Sequence, residues 1–380
     1  MIDRFTTVCA LAGLALTATL APARQATGPP DPVALQEALE TVRDSMEVRG
    51  VSAAVIQPDG TVWTGQAGES FPDASIEPET LFDAGSVGKM FTAAVVLQLA
   101  GEGAVDLDAP IDRWLPDAPH AERVTPRMLL THTSGWADVW DDPSFLPRLV
   151  SAPAKRWTPA EILAATPPPV AEPGARWEYS SSGYAALGAI AEAATGEPFG
   201  TLVRERVIDP LGLERTVHGA YEEPALPVAH GWLDIDDDGT PEDFTALLPA
   251  TAWRTSAGPA GAILTTAADL ARFTRAFLTG ELHGEAMARR IAEERVARPD
   301  GNRHGLGFLE IEIAGKKLAG HRGNSAGYSA AAWHAPEAGI TVAVLTNKHG
   351  VLVTPFVEAL LMAATGPGGA GAPAAGGPSG

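Results

Sequence analysis

The sequence predicts an α+β protein: an antiparallel sheet built from strands at both ends of the chain, flanked by helices, with a mostly helical insert between them. Three observations predict it. Runs of strand composition occur at 51–65 and return at 308–346. The stretch between them, about 102–298, is rich in Pro and Trp and reads as helices and loops. Helical patterns bracket the strands, one after Asp31 and one at 354–364. Pairing the two ends in one sheet closes the chain into a single unit with two lobes, and clefts form at such junctions.

Taken in order, residues 1–23 read as a secretion signal: Arg4 as the basic residue, an apolar run from Phe5 to Leu20, then Ala21-Pro22-Ala23 as the cleavage site. An uncleaved anchor is the alternative, although the run is short for a span. The expected location is secreted or periplasmic, with no stable membrane insertion after cleavage. Cys9, the single cysteine, lies inside this segment, so the mature chain has neither a disulfide nor a thiol nucleophile. Residues 24–30 form a linker, and one domain spans 31–365. Asp31-Pro32 opens a helix, with Asp at the N-cap and Pro in the first turn. Leu35, Leu39, Val42 and Met46 supply its apolar stripe. Val51–Gln57 and Thr61–Gly65 read as strands joined at Pro58-Asp59-Gly60. Met90–Ala100 is an apolar run without Gly or Pro, a buried helix with Ser86 in its first turn. Within the insert, Leu129–Trp136 ends a helix, Ser182–Ala194 forms another stopped by Gly196, and Thr266 starts a third. Two hairpins follow, Phe308–Ile313 with Lys316–Gly320, and Ala326–His334 with Gly339–Thr346. Thr354–Ala364 closes the domain, and the Gly/Pro/Ala tail 366–380 has almost nothing to bury.

Composition narrows the function. The formal charge is −20, which argues against nucleic acid as a partner, because phosphate binding needs a basic surface. The nine histidines include no H-x-x-x-H pair, so a zinc hydrolase is not expected. Asp234-Ile235-Asp236-Asp237-Asp238-Gly239 resembles the opening of a calcium loop, but Thr245 stands where the closing Glu belongs. The reading taken is an acidic hairpin turn, with no metal site and no cofactor.

Three short stretches carry chemistry. Ser86 is the only serine with a lysine three residues on, Lys89, and the chain has only five lysines. Residues three apart on a helix share a face, so the amine can reach the hydroxyl. Serine needs a base before it attacks, and lysine serves as one where burial or neighbouring cations disfavour its ammonium. The free N–H groups of the first helical turn favour a developing negative charge. Alone, this pattern is read first as a capping serine beside a surface lysine. The second stretch is Trp177-Glu178-Tyr179-Ser180-Ser181-Ser182-Gly183-Tyr184, in which Tyr179 could relay protons or simply pack at a helix start. The third is Gly320-His321-Arg322-Gly323-Asn324. Here Gly323 would let a ligand backbone approach, and His321 alone is read first as a structural or surface histidine.

In this order and spacing the three stretches resemble the serine β-lactamase and penicillin-binding protein superfamily, whose signature is S-x-x-K, a Tyr- or Ser-led motif and a K-T-G or H-x-G strand. The resemblance is closest to its class C branch of β-lactamases, D-Ala-D-Ala carboxypeptidases, D-aminopeptidases and esterases. Leu129–Trp136, Pro173-Gly174 through Gly188, Asp209–Leu213, Ser256–Ala271 and Gly327-Tyr328-Ser329 are similar to further segments of that branch. The resemblance implies that Ser86 is the acylated nucleophile and that Lys89 accepts its proton or holds Tyr179 in that role. It implies that Tyr179 passes the proton to the leaving group, and that the N–H groups of Ser86 and Asn324 form the oxyanion hole. It implies that His321 binds a substrate carboxylate or supports Tyr179, and that Ser181, Gly323 and Asn324 line the substrate site. One departure stands out. Ser181 occupies a position where the family usually has Asn, which weakens recognition of amide side chains and favours ester substrates. The function expected is a secreted serine hydrolase on a small-molecule or peptide substrate, foremost a D-Ala-D-Ala-type peptide. The alternatives are a carboxylic-ester hydrolase, a weak β-lactamase, or a non-catalytic binding or scaffold homologue.

Overall fold

A computed structural model describes residues 31–236 and 238–365. The expected signal 1–23, linker 24–30 and tail 366–380 lie outside the described residues. Fourteen strands follow in chain order: β1 (Gly50–Ile56), β2 (Val62–Phe71), β3 (Ala74–Ser75), β4 (Phe82–Asp83), β5 (Thr216–His218), β6 (Trp232–Leu233), β7 (Glu242–Asp243), β8 (Ile263–Thr265), β9 (Val296–Ala297), β10 (Arg303–His304), β11 (Leu309–Ile313), β12 (Lys316–Ser325), β13 (Tyr328–Ala335) and β14 (Ile340–Thr346). Nine of them form one antiparallel sheet in the order β3-β2-β1-β14-β13-β12-β11-β10-β9. The first and last long strands, β1 and β14, are central neighbours, with Val51 opposite Thr346. The two ends of the chain therefore join in one sheet.

Both faces of that sheet are covered, so its central strands are apolar on both sides. On β14, Val342 and Val344 face one layer and Ala343 and Leu345 the other. The first layer is the pair of terminal helices, Pro32–Ser45 and Thr354–Thr365, packing Leu35, Leu39, Phe356 and Leu360. The helix Pro32–Ser45 starts where Asp31 accepts the Val33 N–H at 2.9 Å, with Pro in its first turn. The second layer contains the helix Gly88–Gly101, which is buried along nearly its whole circumference, as an apolar helix without a polar face must be. No helix among the described residues is long and apolar enough to cross a membrane.

The insert differs from the expected separate lobe. The helix Ala267–Thr279 lies within it, yet its Leu270, Phe273 and Phe277 join the core against the main sheet, and Phe273 stacks on Phe91 at 3.6 Å between centroids. The pattern of buried residues on one helix face, not its position in the chain, decides this packing. The insert also holds short strands that composition did not reveal: β5 and β8 join β4, from just before Ser86, in a three-stranded sheet, and β6 pairs with β7. Asp234 accepts the Asp238 and Gly239 N–H groups at the tip of the β6–β7 hairpin. The carboxylates of Asp234, Asp236 and Asp238 lie within 4.8 Å of one another there.

One feature of the sheet creates the site. Strand β12 continues beyond the expected Gly320 to Ser325, while β11 accompanies it only as far as Gly320. The outer edge of 321–325 is left for the turn Gly85–Val87, which packs along it.

Candidate active site

The turn Gly85–Val87 leads directly into the buried helix Gly88–Gly101, with Ser86 and Lys89 one turn apart. Lys89 Nζ lies 3.1 Å from Ser86 Oγ and 2.9 Å from the Ala260 carbonyl. Only 1% of Lys89 is exposed. Gly88 is needed here because a Cβ would fall 2.7 Å from the Gly261 carbonyl oxygen. Tyr179 arrives from the insert, just before the helix Ser181–Thr195, and its hydroxyl donates to Ser86 Oγ at 2.8 Å. One hydroxyl thus has an amine and a phenol in hydrogen-bond range, two groups able to take and return its proton.

Tyr179 is held by the Leu129–Trp136 segment. His132 accepts the Ser180 N–H on Nδ1 at 3.1 Å, and its carbonyl accepts the Glu178 N–H at 2.8 Å. Its ring lies 4.5 Å from the Tyr179 ring. The three serines after Tyr179 all bond to the loop 137–139. Ser180 Oγ donates to the Ala137 carbonyl at 2.9 Å, Ser181 Oγ to Asp138 at 3.0 Å, and Ser182 Oγ accepts the Val139 N–H at 2.9 Å. Ser181 therefore lines the site with its hydroxyl committed to a buried carboxylate.

The third stretch lies on β12. Asn324 follows Gly323, and its side chain accepts from Ser329 Oγ at 2.8 Å, leaving its backbone as the group nearest the turn. A Cβ on Gly85 would lie 2.8 Å from the Asn324 nitrogen. Ser325 and Tyr328 close a two-residue turn, so Asn324 and Ser329 are the next, non-hydrogen-bonded pair of that hairpin. That register points the Asn324 N–H outward, toward Ser86. Gly323 serves a different purpose from the one expected. A Cβ there would meet the Ala84 carbonyl at 2.1 Å and the Ser86 nitrogen at 2.8 Å. The close approach is by the chain's own turn, not by a ligand.

For His321, burial weighs against the first of its two expected roles, carboxylate binding, and leaves the second, support of Tyr179. His321 is 2% exposed, and burial, followed by Lys89, pushes its pKa down to about 3. A neutral imidazole brings no charge to a substrate carboxylate. It sits in a buried set with His132 and His304, whose pKa values burial likewise holds well below the ordinary range. Arg298 and Arg322 line a lobe of about 310 Å³ with Ser86, Tyr179 and His321. Arg298 lies over the Trp177 ring at 4.5 Å and bonds Asp300 at 2.8 Å. A second lobe of about 340 Å³ runs to the other side of Ser86, walled by Trp140, Trp253, Ser181 and Asp138. Asp83, Asp138, Trp253, Arg298 and His304 were not singled out as site residues from sequence. Asp83 lies inside the Ser86 stretch and Asp138 two residues after Leu129–Trp136, so proximity to those motifs was the available signal. Arg298, Trp253 and His304 had none.

With this geometry described, comparison with known proteins gives consistent matches. The family model described as Beta-lactamase matches residues 38–366. Penicillin-binding protein 4 of Amycolatopsis lactamdurans is 30% identical over 350 residues, 85% of this chain and 87% of that protein. Among solved structures, a D-stereospecific amidohydrolase from Streptomyces sp. superposes with a TM-score of 0.77 at 30% identity, covering 87% of this chain and 98% of that one. The D-amino acid amidase from Ochrobactrum anthropi SV3, complexed with L-phenylalanine amide, gives 0.77 at 28% identity, covering 87% and 97%.

Proposed function

The chain belongs to the Beta-lactamase family and is a serine hydrolase of that family, and from this premise we propose that it cleaves D-Ala-D-Ala-type peptides through an acyl-enzyme on Ser86. The observation that carries this reading is Ser86 Oγ held between Lys89 Nζ at 3.1 Å and Tyr179 Oη at 2.8 Å. Ser86 Oγ attacks the scissile carbonyl carbon as its proton passes to the Lys89–Tyr179 pair. The N–H groups of Ser86 and Asn324 receive the oxyanion, and losing one such donor typically costs about 10²–10³ in rate. The C–N bond then breaks, and Tyr179 returns the proton to the leaving amine. Water gives a proton to Tyr179 as it attacks the acyl carbonyl carbon; the ester C–O bond then breaks, Tyr179 passes that proton to Ser86 Oγ, and the acid is released.

In this reading the leaving amino acid directs its carboxylate to Arg298 and Arg322, with neutral His321 supporting Tyr179. The lobe walled by Trp140 and Trp253 takes the acyl part. The D-specific amidohydrolase and amidase among the structural neighbours support an amide of D configuration. A second reading, hydrolysis of a small carboxylic ester, is favoured by Ser181, whose hydroxyl is engaged by Asp138 and offers little to an amide side chain. Secretion or periplasmic export rests on the leader pattern of residues 4–23.

Intact-mass spectrometry after incubation with a penicillin, a p-nitrophenyl ester and a D-Ala-D-Ala peptide tests the mechanism. A covalent adduct on Ser86, with turnover abolished in Ser86→Ala, is expected. Substantial turnover in that variant overturns the acyl-enzyme, and no adduct or turnover from any probe supports a binding role instead.

A further inference from the structure

We propose that Asp83 is a positioning residue that clamps together the two backbone segments forming the oxyanion hole, and that the clamp extends through Ser325 to Trp253 in the wall of the acyl lobe. The proposal rests on the reading of Ser86 and Asn324 given above. Asp83 sits at the end of β4 and is 5% exposed. One carboxylate oxygen accepts the Gly85 N–H at 2.8 Å, and the other accepts the Ser325 hydroxyl at 2.8 Å. Gly85 immediately precedes Ser86, and Ser325 immediately follows Asn324. A single rigid carboxylate therefore bonds the neighbours of both oxyanion donors.

The two segments come together in a tight backbone contact. Gly85 has φ +52°, and a Cβ on it would lie 2.6 Å from the Asn324 carbonyl oxygen. Gly323 faces the Ala84 carbonyl more closely still, at 2.1 Å for a Cβ. The glycines permit the approach, but absence of a clash supplies no attraction. The Asp83 hydrogen bonds supply it. They also offset a burial that raises the Asp83 pKa, desolvation being the largest cause. An apolar side chain would fill this position without that cost but would form neither bond. Trp253 Nε1 donates to Ser325 Oγ at 2.9 Å, and the Trp253 ring lies 5.0 Å from that of Trp140. The wall that receives the acyl group is thereby tied to the strand carrying one donor.

Donors act on an oxyanion only within about 2.7–3.1 Å of it, so loosening the clamp weakens the transition state more than the bound substrate. The test uses the full chain with Asp83→Ala, Asp83→Asn and Ser325→Ala, steady-state kinetics on whichever of the p-nitrophenyl ester and D-Ala-D-Ala peptide is turned over, and inhibition by phenylboronic acid. The boronate forms a tetrahedral anion on the serine oxygen and so reports the oxyanion hole directly. Asp83→Ala is expected to lower kcat tenfold or more, with KM within about threefold, and to weaken boronate inhibition by a similar factor. Asp83→Asn, which can still accept from Gly85, recovers most of the loss, and Ser325→Ala falls between. If Asp83→Ala gives no cooperative thermal unfolding, Ser325→Ala decides by the same criterion. A kcat within twofold of the parent, or a loss of kcat without weaker boronate inhibition, overturns the clamp while Ser86→Ala remains inactive. Activity that persists in Ser86→Ala instead removes the reading of Ser86, and the clamp with it.

Discussion

Arg298 shows how little a residue's identity says until its neighbours are known. It stands where the sequence suggested only the end of the insert, yet it flanks the lobe that contains Ser86 and Tyr179, stacked on Trp177. Its side chain is 10% exposed, and burial lowers its pKa from the usual arginine value, the largest of several causes. A guanidinium in such a setting gains more from a substrate carboxylate than an exposed one, because solvent screens it less. A hydrogen bond to a charged group contributes about 1.5–3 kcal/mol. Arg298→Met keeps an apolar stem over Trp177 but removes the charge. It is expected to reduce by tenfold or more the ratio of kcat/KM on a carboxylate-terminated peptide to that on a neutral p-nitrophenyl ester. Equal loss on both substrates would refute a carboxylate-binding role. His321 makes the complementary point, since burial depresses the pKa of this imidazole and leaves support of Tyr179, not carboxylate binding, as the expected role its setting favours.

At the scale of elements, the site is a junction between a strand edge and a helix start. β12 outruns β11, and the turn Gly85–Val87 occupies the edge that remains. Gly323 is where they touch, with 2.1 Å available to a Cβ. Gly323→Ala must push the turn off the strand. Overpacking of this kind costs roughly 1–3 kcal/mol, and here the displaced atoms include the Ser86 nitrogen. Thermal denaturation and kcat should fall together in this variant. A parent-like melting temperature with parent-like kcat would contradict the contact. The helix Ser181–Thr195 and the loop 137–139 form the opposite wall, joined through three successive serines. That joint explains how Ser181 can replace the more usual Asn and leave Tyr179 in range of Ser86.

For the molecule as a whole, buried imidazoles set the response to acid. His218 and His321 titrate at about 3 and His283 at about 4 in the folded chain, all driven down by burial. His132 and His304 are depressed in the same way. Their unfolded counterparts titrate near the ordinary value of about 6.5. Between pH 6.5 and 3 the unfolded chain therefore binds more protons than the folded one, so stability falls as pH falls through that window. Above pH 6.5 the contribution is complete. Asp83 and Asp269, whose pKa values burial raises, act in the opposite sense, but they are outnumbered. Calorimetry from pH 7.5 to 4 should show a steadily declining melting temperature. A flat or rising profile would mean that these histidines have access to solvent or to partners that hold their protons.

Read alone, the sequence determined the sheet drawn from both chain ends, the buried helix after Ser86, and the identity of the three stretches that meet at the cleft. Those features are local: alternation, an apolar run, caps and turn residues act within a few positions of themselves. The Asp31 cap is where the local chemistry requires it. Only the tertiary structure decided that Gly323 serves the turn, that His321 is neutral, that Arg298 supplies charge, and that the helix Ala267–Thr279 belongs to the sheet. Each of these depends on which distant segment comes to lie against the residue, because desolvation, close contact and charge pairing are properties of a neighbourhood and have no period along the chain.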